Sequence, residues 1–238
     1  MLDDGNCDNN ACFPKKIIKE TEWGALTSSE REDLFKLSVC RKYQVGEMIF
    51  HQADECRGLY LIREGLVSVR KQCLDGSEVI IRLARGGDTL GYRPFLADQP
   101  HLASAQVMQN SLICFFAASQ IKKMLLENPH FGFEFLQREA RELGDAEERF
   151  QQTVSQSVRI RLIHLLLVLN QYYGMPIQKG SLDLELPISR QDMASMIGIR
   201  VESLSRTIKH LTDDGLLNFS GRHVRIHNLE LMAEEISY

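Results

Sequence analysis

Short stretches of alternating apolar and polar residues dominate the chain between residues 39 and 117, and glycines separate them. In the segment GLYLIREGLVSVRK, apolar side chains recur at Leu59, Leu61 and again from Leu66. The segment SEVIIRLA repeats the alternation after an Asp-Gly turn. Alternation with a period of two, bounded by turn residues, is typical of half-buried strands. Many such strands predict a small antiparallel barrel or jelly roll, which either encloses a pocket or packs on itself.

A helical period replaces this pattern between residues 131 and 157. Its core positions follow one another at steps of four and three, which is the spacing of a coiled-coil seam. These positions are Leu136, Ala140, Leu143, Glu147, Phe150 and Val154. The pattern predicts a dimerisation helix, with the alternative that an amphipathic helix lies on its own domain. Glu147 would bring two carboxylates together in a parallel dimer, which makes dimerisation conditional on protonation or pairing.

The stretch ISRQDMASMIGIRVESLSRTIKHLTDDGLL, residues 188–217, predicts two short helices joined by a tight turn. Ser189 and Asp192 fit a capping box at the start of the first helix, and Gly198 can adopt the left-handed conformation that ends it. The second helix has an apolar side at steps of four and three, formed by Leu204, Ile208 and Leu211. Two helices joined in this way are typical of a helix-turn-helix, whose second helix enters the major groove of DNA.

The opposite side of the second helix carries Val201, Glu202, Ser205, Arg206 and Lys209. Arginine can donate two hydrogen bonds to guanine, glutamate can accept from cytosine, serine can bond several base edges, and a valine methyl can touch thymine. A lysine at the edge of such a set would contact phosphate. The alternative is a helical hairpin whose polar side is only solvated, with Glu202 and Arg206 as an i,i+4 ion pair.

The segment LLNFSGRHVRIH, residues 216–227, predicts two strands around a Ser220-Gly221 turn, which together form a wing. Arg222 and Arg225 of this wing would hold the DNA backbone, and we also place Ser189 in the predicted DNA-binding set. Residues 158–238 contain nine Lys or Arg and nine Asp or Glu, so attraction to DNA must come from the placement of charges.

Composition limits the classes of protein to which the chain can belong. The 238 residues carry a formal net charge of −4, and they contain no run of eighteen apolar residues and no secretory signal. Six cysteines in such a chain favour reduced thiols or a metal site in a reducing cytoplasm over a disulfide scaffold. No phosphate-binding glycine loop, nucleophile elbow or His-Glu-x-x-His helix is present, which argues against an enzyme.

From about Leu26 onwards the chain resembles the CRP/FNR family of bacterial transcription regulators. VGEMIFHQADECRGLYLIREGLVSV resembles the β-roll signature of the family, LARGGDTLGY its later glycine turn, and residues 189–217 its winged helix-turn-helix. The resemblance implies an α+β fold: an N-terminal jelly-roll sensor of the cyclic-nucleotide-binding type, a long dimerisation helix and a C-terminal DNA-binding domain. The domains are expected at 1–25 (an arm with a cysteine pair), 26–130 (β-roll), 131–157 (dimerisation helix) and 158–238 (winged helix-turn-helix).

The recognition helix is closest to the FNR branch. CRP-like members carry an arginine before the glutamate, where this chain has Val201, and VESLSR is similar to the FNR pattern. The resemblance implies that Glu202, Ser205 and Arg206 of a cytoplasmic homodimer read a TTGAT-N4-ATCAA-like palindrome in double-stranded DNA. It further implies activation through contacts with RNA polymerase and no membrane partner.

The residues do not single out one signal that controls DNA binding. The CRP cassette for cyclic AMP has a glutamate after its glycine and an arginine before Ser-Ala, whereas this chain has Tyr92 and Ala103 there, so an anionic phosphate would lack its clamp. Another small ligand in the β-roll, or a regulatory module that controls a partner protein instead of DNA, stays open.

An iron–sulfur cluster is a second candidate for the signal, because FNR-type members hold one on four cysteines. AQVMQNSLICFF resembles the segment of the fourth ligand, which implies Cys114 as a ligand. The other three family ligands lie near the N-terminus, where this chain offers Cys7 and Cys12. The remaining ligand is not identified, with Asp8, Asp4 or Cys40 as candidates. A haem that binds a gas, with His51 or His101 as ligand, is a third candidate.

Overall fold

The computed structural model describes residues 21–178 and 180–236, so the arm that carries Cys7 and Cys12 lies outside the described residues. The fold is α+β, with a β-roll, a long helix and a C-terminal winged helix-turn-helix in that order, as predicted. The chain forms two compact units. The first contains the described residues up to 72 and residues 81–144; the second contains residues 73–80 and those from 145 onwards.

A 3-10 turn, Glu22–Ala25, comes first. The helices are α1 (Ser28–Lys36), α2 (Tyr92–Leu96), α3 (Ala118–Glu127), α4 (Pro129–Ser155), α5 (Val158–Tyr173), α6 (Arg190–Met196), α7 (Val201–Asp213) and α8 (Leu229–Glu234). The strands are β1 (Val39–Tyr43), β2 (Met48–Phe50), β3 (Gly58–Gln72), β4 (Glu78–Arg85), β5 (Thr89–Leu90), β6 (Ser104–Ala117), β7 (Gly174–Gln178), β8 (Ser181–Glu185), β9 (Leu217–Ser220) and β10 (His223–Ile226).

Strand β6 organises the first unit. The sheet order is β1-β6-β3-β4, with β2 also on β6 and β5 on β3. Alternate side chains of these strands point inward and form an apolar cluster that fills the roll. Its members are Phe50, Ile62, Val67, Ala84, Leu90, Ala105, Val107 and Ile113. The structure therefore shows a roll in which apolar side chains pack on one another.

A second apolar cluster connects the N-terminal segment, the roll and the start of α4. Trp23, Phe116 and Phe131 are fully buried there, and the Trp23 ring lies 4.8 Å from that of Phe116 and 5.6 Å from that of Phe131. The indole Nε1 of Trp23 donates to Thr89 Oγ1 at 2.8 Å, so its polar atom is satisfied within the core. This cluster fixes the base of the long helix.

Helix α4 begins two residues earlier than predicted and ends two residues earlier. Proline is well tolerated in a first helical turn, and the side chain of Asn128 accepts a hydrogen bond from Phe131 N at 3.1 Å. The chain leaves α4 after Ser155 because Ser157 caps the next helix, its Oγ accepting from Ile160 N at 3.3 Å. At 1.5 Å per residue, α4 is about 40 Å long.

The second unit contains the sheet β7-β8-β10-β9 beside helices α5 to α8. Strands β9 and β10 are paired around Gly221 and Arg222, so the turn lies one residue later than the predicted Ser220-Gly221 turn, because Ser220 still pairs with His223. Strand β10 also pairs with β8. Among the residues described, no helix is both long and apolar enough to cross a membrane.

Candidate nucleic-acid interface

The helix-turn-helix is built from local signals that the sequence carries. Ser189 Oγ accepts from Asp192 N at 3.1 Å and donates to Asp192 Oδ2 at 2.6 Å, which completes the predicted capping box of α6. Gly198 has a φ of +67°, the left-handed conformation expected at the end of that helix. On α7, Leu204, Ile208 and Leu211 are buried as predicted. The two helices are therefore fixed by a cap, a glycine and one apolar side.

The structure brings the predicted reading residues to one side of α7. Glu202, Arg206 and Lys209 are exposed, while Val201 and Ser205 are partly exposed. The guanidinium of Arg206 makes one long contact, from Nη2 to Ser203 Oγ at 3.4 Å. Residues three, four and seven positions apart share a helix face, so these side chains form a continuous polar surface opposite the buried trio.

The other predicted contact residues are Ser189, Arg222 and Arg225, and they differ in how their side chains are used within the fold. The hydroxyl of Ser189 serves the capping box, which gives it a structural role at the start of α6. Arg222 is exposed beside the wing turn. Arg225, in contrast, donates to both oxygens of Asp183 at 2.8 and 3.0 Å, which commits its guanidinium to β8. Of the two wing arginines, Arg222 is the one available to a phosphate.

Two arginines of α5 support the helix-turn-helix, and sequence reasoning missed both. Arg161 Nη1 donates to Ile197 O at 2.7 Å, at the turn between α6 and α7. Arg159 donates to both carboxylate oxygens of Glu235 at 2.7 Å and to Asp214 Oδ2, just after α7, at 2.5 Å. These contacts hold the end of α6 and the end of α7 against α5.

The Arg159 contacts make one part of the second unit sensitive to pH. Hydrogen bonds from Arg159 hold the pKa of the Glu235 carboxyl below its ordinary value. A carboxyl with a depressed folded-state pKa stabilises the fold above its unfolded pKa, and this stabilisation is lost as pH falls through the folded value. We expect protection of α8 amides against hydrogen exchange to fall by about 0.5 kcal/mol from pH 7 to pH 4, after correction for intrinsic exchange. The Glu235→Gln variant should lose less, and an equal loss in both proteins would refute this role.

Arg190, at the first position of α6, is a further residue that the sequence did not single out. Its guanidinium lies over the ring of Phe219 on β9, 5.7 Å from the ring centre. A cation over an aromatic face is attracted by the ring electrons. The contact joins the start of the helix-turn-helix to the wing and keeps a positive charge at the edge of the polar surface.

Two family models match the chain in the order of these elements. A Cyclic nucleotide-binding domain matches residues 40–128, and a Crp-like helix-turn-helix domain matches residues 160–235. The second match contains α6, α7 and the wing. The chain belongs to the CRP/FNR family. This CRP/FNR protein is accordingly a transcription regulator with a DNA-binding helix-turn-helix, and the prediction that it is not an enzyme is confirmed.

Individual relatives agree with this CRP/FNR assignment. The protein is 22% identical over 222 residues to the Anaerobic regulatory protein of Bacillus subtilis (strain 168), covering 92% of each chain. It is 24% identical over 212 residues to the Transcriptional activator protein FnrL of Cereibacter sphaeroides, covering 87% of this chain and 84% of that relative. Its fold matches the structure of FixK2 from Bradyrhizobium japonicum with a TM-score of 0.70 at 23% identity, covering 83% of this chain and 96% of that chain.

The sensor side of this CRP/FNR protein differs from the predicted cluster site. The sulfur of Cys114, a predicted ligand, is bonded to that of Cys40. Among residues 21–178 and 180–236, no group of three or more His, Cys, Asp or Glu is arranged to hold a metal ion. In this arrangement the described donors do not fit a four-cysteine cluster, and Cys7 and Cys12 are outside the described residues. The cluster stays a prediction.

The two histidines considered for haem have different surroundings. His51 is exposed, whereas His101 is 3% exposed and stacks on Phe50 with ring centres 3.7 Å apart. Burial lowers the pKa of His101, although the nearby Asp54 acts in the opposite direction. At the two positions where a cyclic-AMP site would differ, Tyr92 is 2% exposed and Ala103 is 7% exposed.

A buried ion cluster around Arg138 of α4 was not visible in the sequence. Arg138 Nη1 donates to both oxygens of Glu22 at 3.0 and 2.9 Å, its Nη2 to Asp88 at 3.1 Å, and its Nε to Glu142 at 3.3 Å. Arg82 also pairs with Glu142. Burial alone would lower the pKa of Arg138, but Glu22 and Asp88 raise it above its ordinary value. The cluster ties the N-terminal segment and the roll to α4.

The predicted seam of α4 is open in the single chain. All six seam residues are exposed, and the large apolar members have high exposed fractions. These fractions are 62% for Leu136, 62% for Leu143, 72% for Phe150 and 72% for Val154. An apolar stripe of this length on a single helix is unusual for the free surface of a protein.

Proposed function

We propose that this CRP/FNR protein acts as a cytoplasmic homodimer that binds a TTGAT-N4-ATCAA-like palindrome. The observation that carries the proposal is the exposed surface of α7, where a carboxylate, a hydroxyl and a guanidinium lie on one helix face. Each half-site contains one G·C pair. Arg206 would donate to its guanine and Glu202 would accept from its cytosine, while Ser205 bonds a neighbouring base edge.

Contacts to phosphate supply the rest of the affinity. Lys209 on α7 and Arg222 at the wing turn are both exposed, so their cationic side chains would be the ones to contact phosphate. Such contacts hold the protein on the duplex without reading its sequence. A gel-shift assay tests the proposal with the palindrome and with a duplex in which both G·C pairs are exchanged for A·T. We expect a shift of the palindrome at lower protein concentration, and no shift at low salt in any redox state would favour a module that controls a partner protein.

Dimerisation through α4 supports the recognition of a palindrome. A second copy packed in parallel would cover the exposed apolar stripe, and two recognition helices would then meet half-sites one helical turn apart, about 34–36 Å. The match to a Crp-like helix-turn-helix domain implies dimeric action, which favours this arrangement.

The Leu143→Glu variant tests the seam. Two additional carboxylates and the loss of two leucines from the interface should raise the dimer dissociation constant by more than about tenfold. Sedimentation equilibrium measures the change. Leu126→Glu is the matched control, because Leu126 is 84% exposed on α3, away from the stripe. The reverse change at the acidic seam position, Glu147→Leu, should tighten the dimer at neutral pH. Equal effects of Leu143→Glu and Leu126→Glu on the dissociation constant would place the interface elsewhere.

The proposal also includes the signal that controls DNA binding and the effect of the bound protein on transcription. A signal received by the β-roll or the N-terminal arm would change the packing of α4 and thereby the distance between the recognition helices. It must bind the two arrangements with different affinity, because equal binding shifts no equilibrium. The candidates are an iron–sulfur cluster on Cys7, Cys12 and Cys114, a small ligand in the roll, and a haem-bound gas. Anaerobic purification, with an absorption spectrum and iron and sulfide analysis, separates them. Activation through RNA polymerase is proposed from the family alone.

A further inference from the structure

Two cysteines that are far apart in sequence meet across neighbouring strands of the roll. Cys40 of β1 lies directly opposite Cys114 of β6, and their sulfurs are bonded, although 74 residues separate them. Cys114 is fully buried, whereas Cys40 is partly exposed. The bond therefore joins a partly exposed residue on the edge strand β1 to a residue inside the core.

Cys114 belongs to the second apolar cluster, which connects the N-terminal segment, the roll and the start of α4. Cys114 shares this cluster with Trp23, Phe131 and Phe135, and Cys40 packs against it from the strand at its edge. When the bond opens, the two sulfurs must move from bonding distance to van der Waals contact. A densely packed core transmits such a change to its neighbours, here the first turns of α4 and the N-terminal segment.

We propose that Cys40 and Cys114 form a reversible dithiol–disulfide site whose co-reactant is a low-molecular-weight disulfide such as oxidised glutathione. A regulator that binds DNA in a cytoplasm meets a thiol pool that keeps cysteines reduced, so a disulfide there is a state entered on oxidation. The cytoplasmic location and the link to DNA binding rest on the proposed function. The site uses Cys40 instead of the N-terminal cysteines as the partner of Cys114.

The exchange proceeds in two balanced steps. The Cys40 thiol loses its proton, and its thiolate attacks the oxidised disulfide RSSR, forming the mixed disulfide Cys40–S–S–R and releasing RS⁻. The Cys114 thiol then loses its proton and attacks the sulfur of Cys40, releasing the second RS⁻. The two thiolates take up the two protons, so two cysteine thiols and RSSR become one disulfide and two RSH. Excess RSH reverses both steps.

Peptide mapping tests the pairing directly in the full-length protein. Trypsin releases Cys40 in peptide 37–41 and Cys114 in peptide 86–122, because the Arg93-Pro94 bond is not cut, and neither peptide contains another cysteine. After equilibration in glutathione buffers and alkylation of free thiols, we expect the linked pair 37–41/86–122 in oxidised buffer and two alkylated peptides in reduced buffer. A pair that stays linked in excess reduced glutathione, thiols that never link, or Cys114 linked to Cys7 or Cys12 would overturn the proposal.

The buried tryptophan reports whether the bond changes the core. Trp23 is the only tryptophan in the sequence and lies in the same cluster as Cys114. We expect Trp23 fluorescence to change with the glutathione ratio over the range in which the peptides change. The response should disappear in Cys40→Ser and Cys40→Ala and persist in Cys73→Ser, since Cys73 is an exposed free thiol. Fluorescence that stays constant while the disulfide forms would show that the bond does not affect this core.

DNA binding is the last measurement. We expect the affinity for the palindrome to differ by about fivefold or more between oxidised and reduced wild type, and to be unaffected by oxidation in Cys40→Ser. Equal affinity of both forms would remove the regulatory role of the site. If neither form binds DNA, the proposed function fails, while the peptide and fluorescence results still decide the redox chemistry.

Discussion

Replacing Arg138 by methionine is expected to lower the free energy of unfolding of the first unit by about 3–5 kcal/mol. The Arg138 side chain is 12% exposed and that of Glu22 only 3%. Removing the guanidinium leaves the buried Glu22 carboxylate without its cation, and it also removes the link from α4 to Asp88 and the contact with Glu142 one turn along α4. An unpaired buried charge is one of the few causes of so large a loss. Urea denaturation followed by Trp23 fluorescence measures the change, because Trp23 lies in the same unit.

Two further variants separate charge from packing at this position. Arg141→Met is the matched control, because Arg141 is exposed on the same helix, and it should change stability by less than about 0.5 kcal/mol. The double variant Glu22→Leu/Arg138→Met removes both charges and should recover much of the loss, since an apolar pair can replace a buried ion pair. Equal stability of Arg138→Met and Arg141→Met would show that the ion cluster does not hold α4 to the roll.

Replacing Arg206 by alanine is expected to weaken binding of the palindrome by about 1–3 kcal/mol per half-site and to relax the preference for G·C at one position. The guanidinium of Arg206 is exposed on α7 and makes only a long contact with Ser203, so the change should leave the fold intact. Fluorescence anisotropy with the palindrome and with its G·C-to-A·T variants measures both effects.

Lys209→Ala is the matched control for Arg206. Lys209 is exposed on the same helix face and is assigned to phosphate, so its loss should weaken binding to all duplexes alike and reduce the salt dependence by about one unit per contact. If Arg206→Ala discriminates the G·C pair as well as wild type, the assignment of Arg206 as the reading residue is wrong.

Local signals in the sequence predicted the DNA-binding domain in detail. The capping box of Ser189 and Asp192, the left-handed Gly198 and the buried side of α7 all depend on residues a few positions apart, and all are confirmed. The wing hairpin is confirmed too, with its turn one residue later than predicted. The cap of α1 is of the same kind: Thr27 Oγ1 accepts from Glu30 N, and Thr27 N donates to the Glu30 carboxylate in return.

Contacts between distant segments could not be predicted in this way. The register that places Cys40 opposite Cys114 depends on how two strands 74 residues apart pair, and no local pattern determines it. The partners of Arg138 come from the N-terminal segment and from the loop before β5. The pattern of residues along α4 therefore gives no sign that Arg138 is buried in an ion cluster. Arg159 and Arg161 likewise acquire their roles from α8, from the residue after α7 and from the end of α6.

The central claim is that α7 reads a palindrome through Glu202, Ser205 and Arg206, and selection of binding sites from a random pool of duplexes tests it most directly. The account predicts enrichment of a two-fold symmetric sequence with TTGAT-like half-sites whose centres are one helical turn apart, and loss of the G·C preference when the selection uses Arg206→Ala. A pool that shows no enrichment, or enrichment of a sequence without two-fold symmetry, would contradict it.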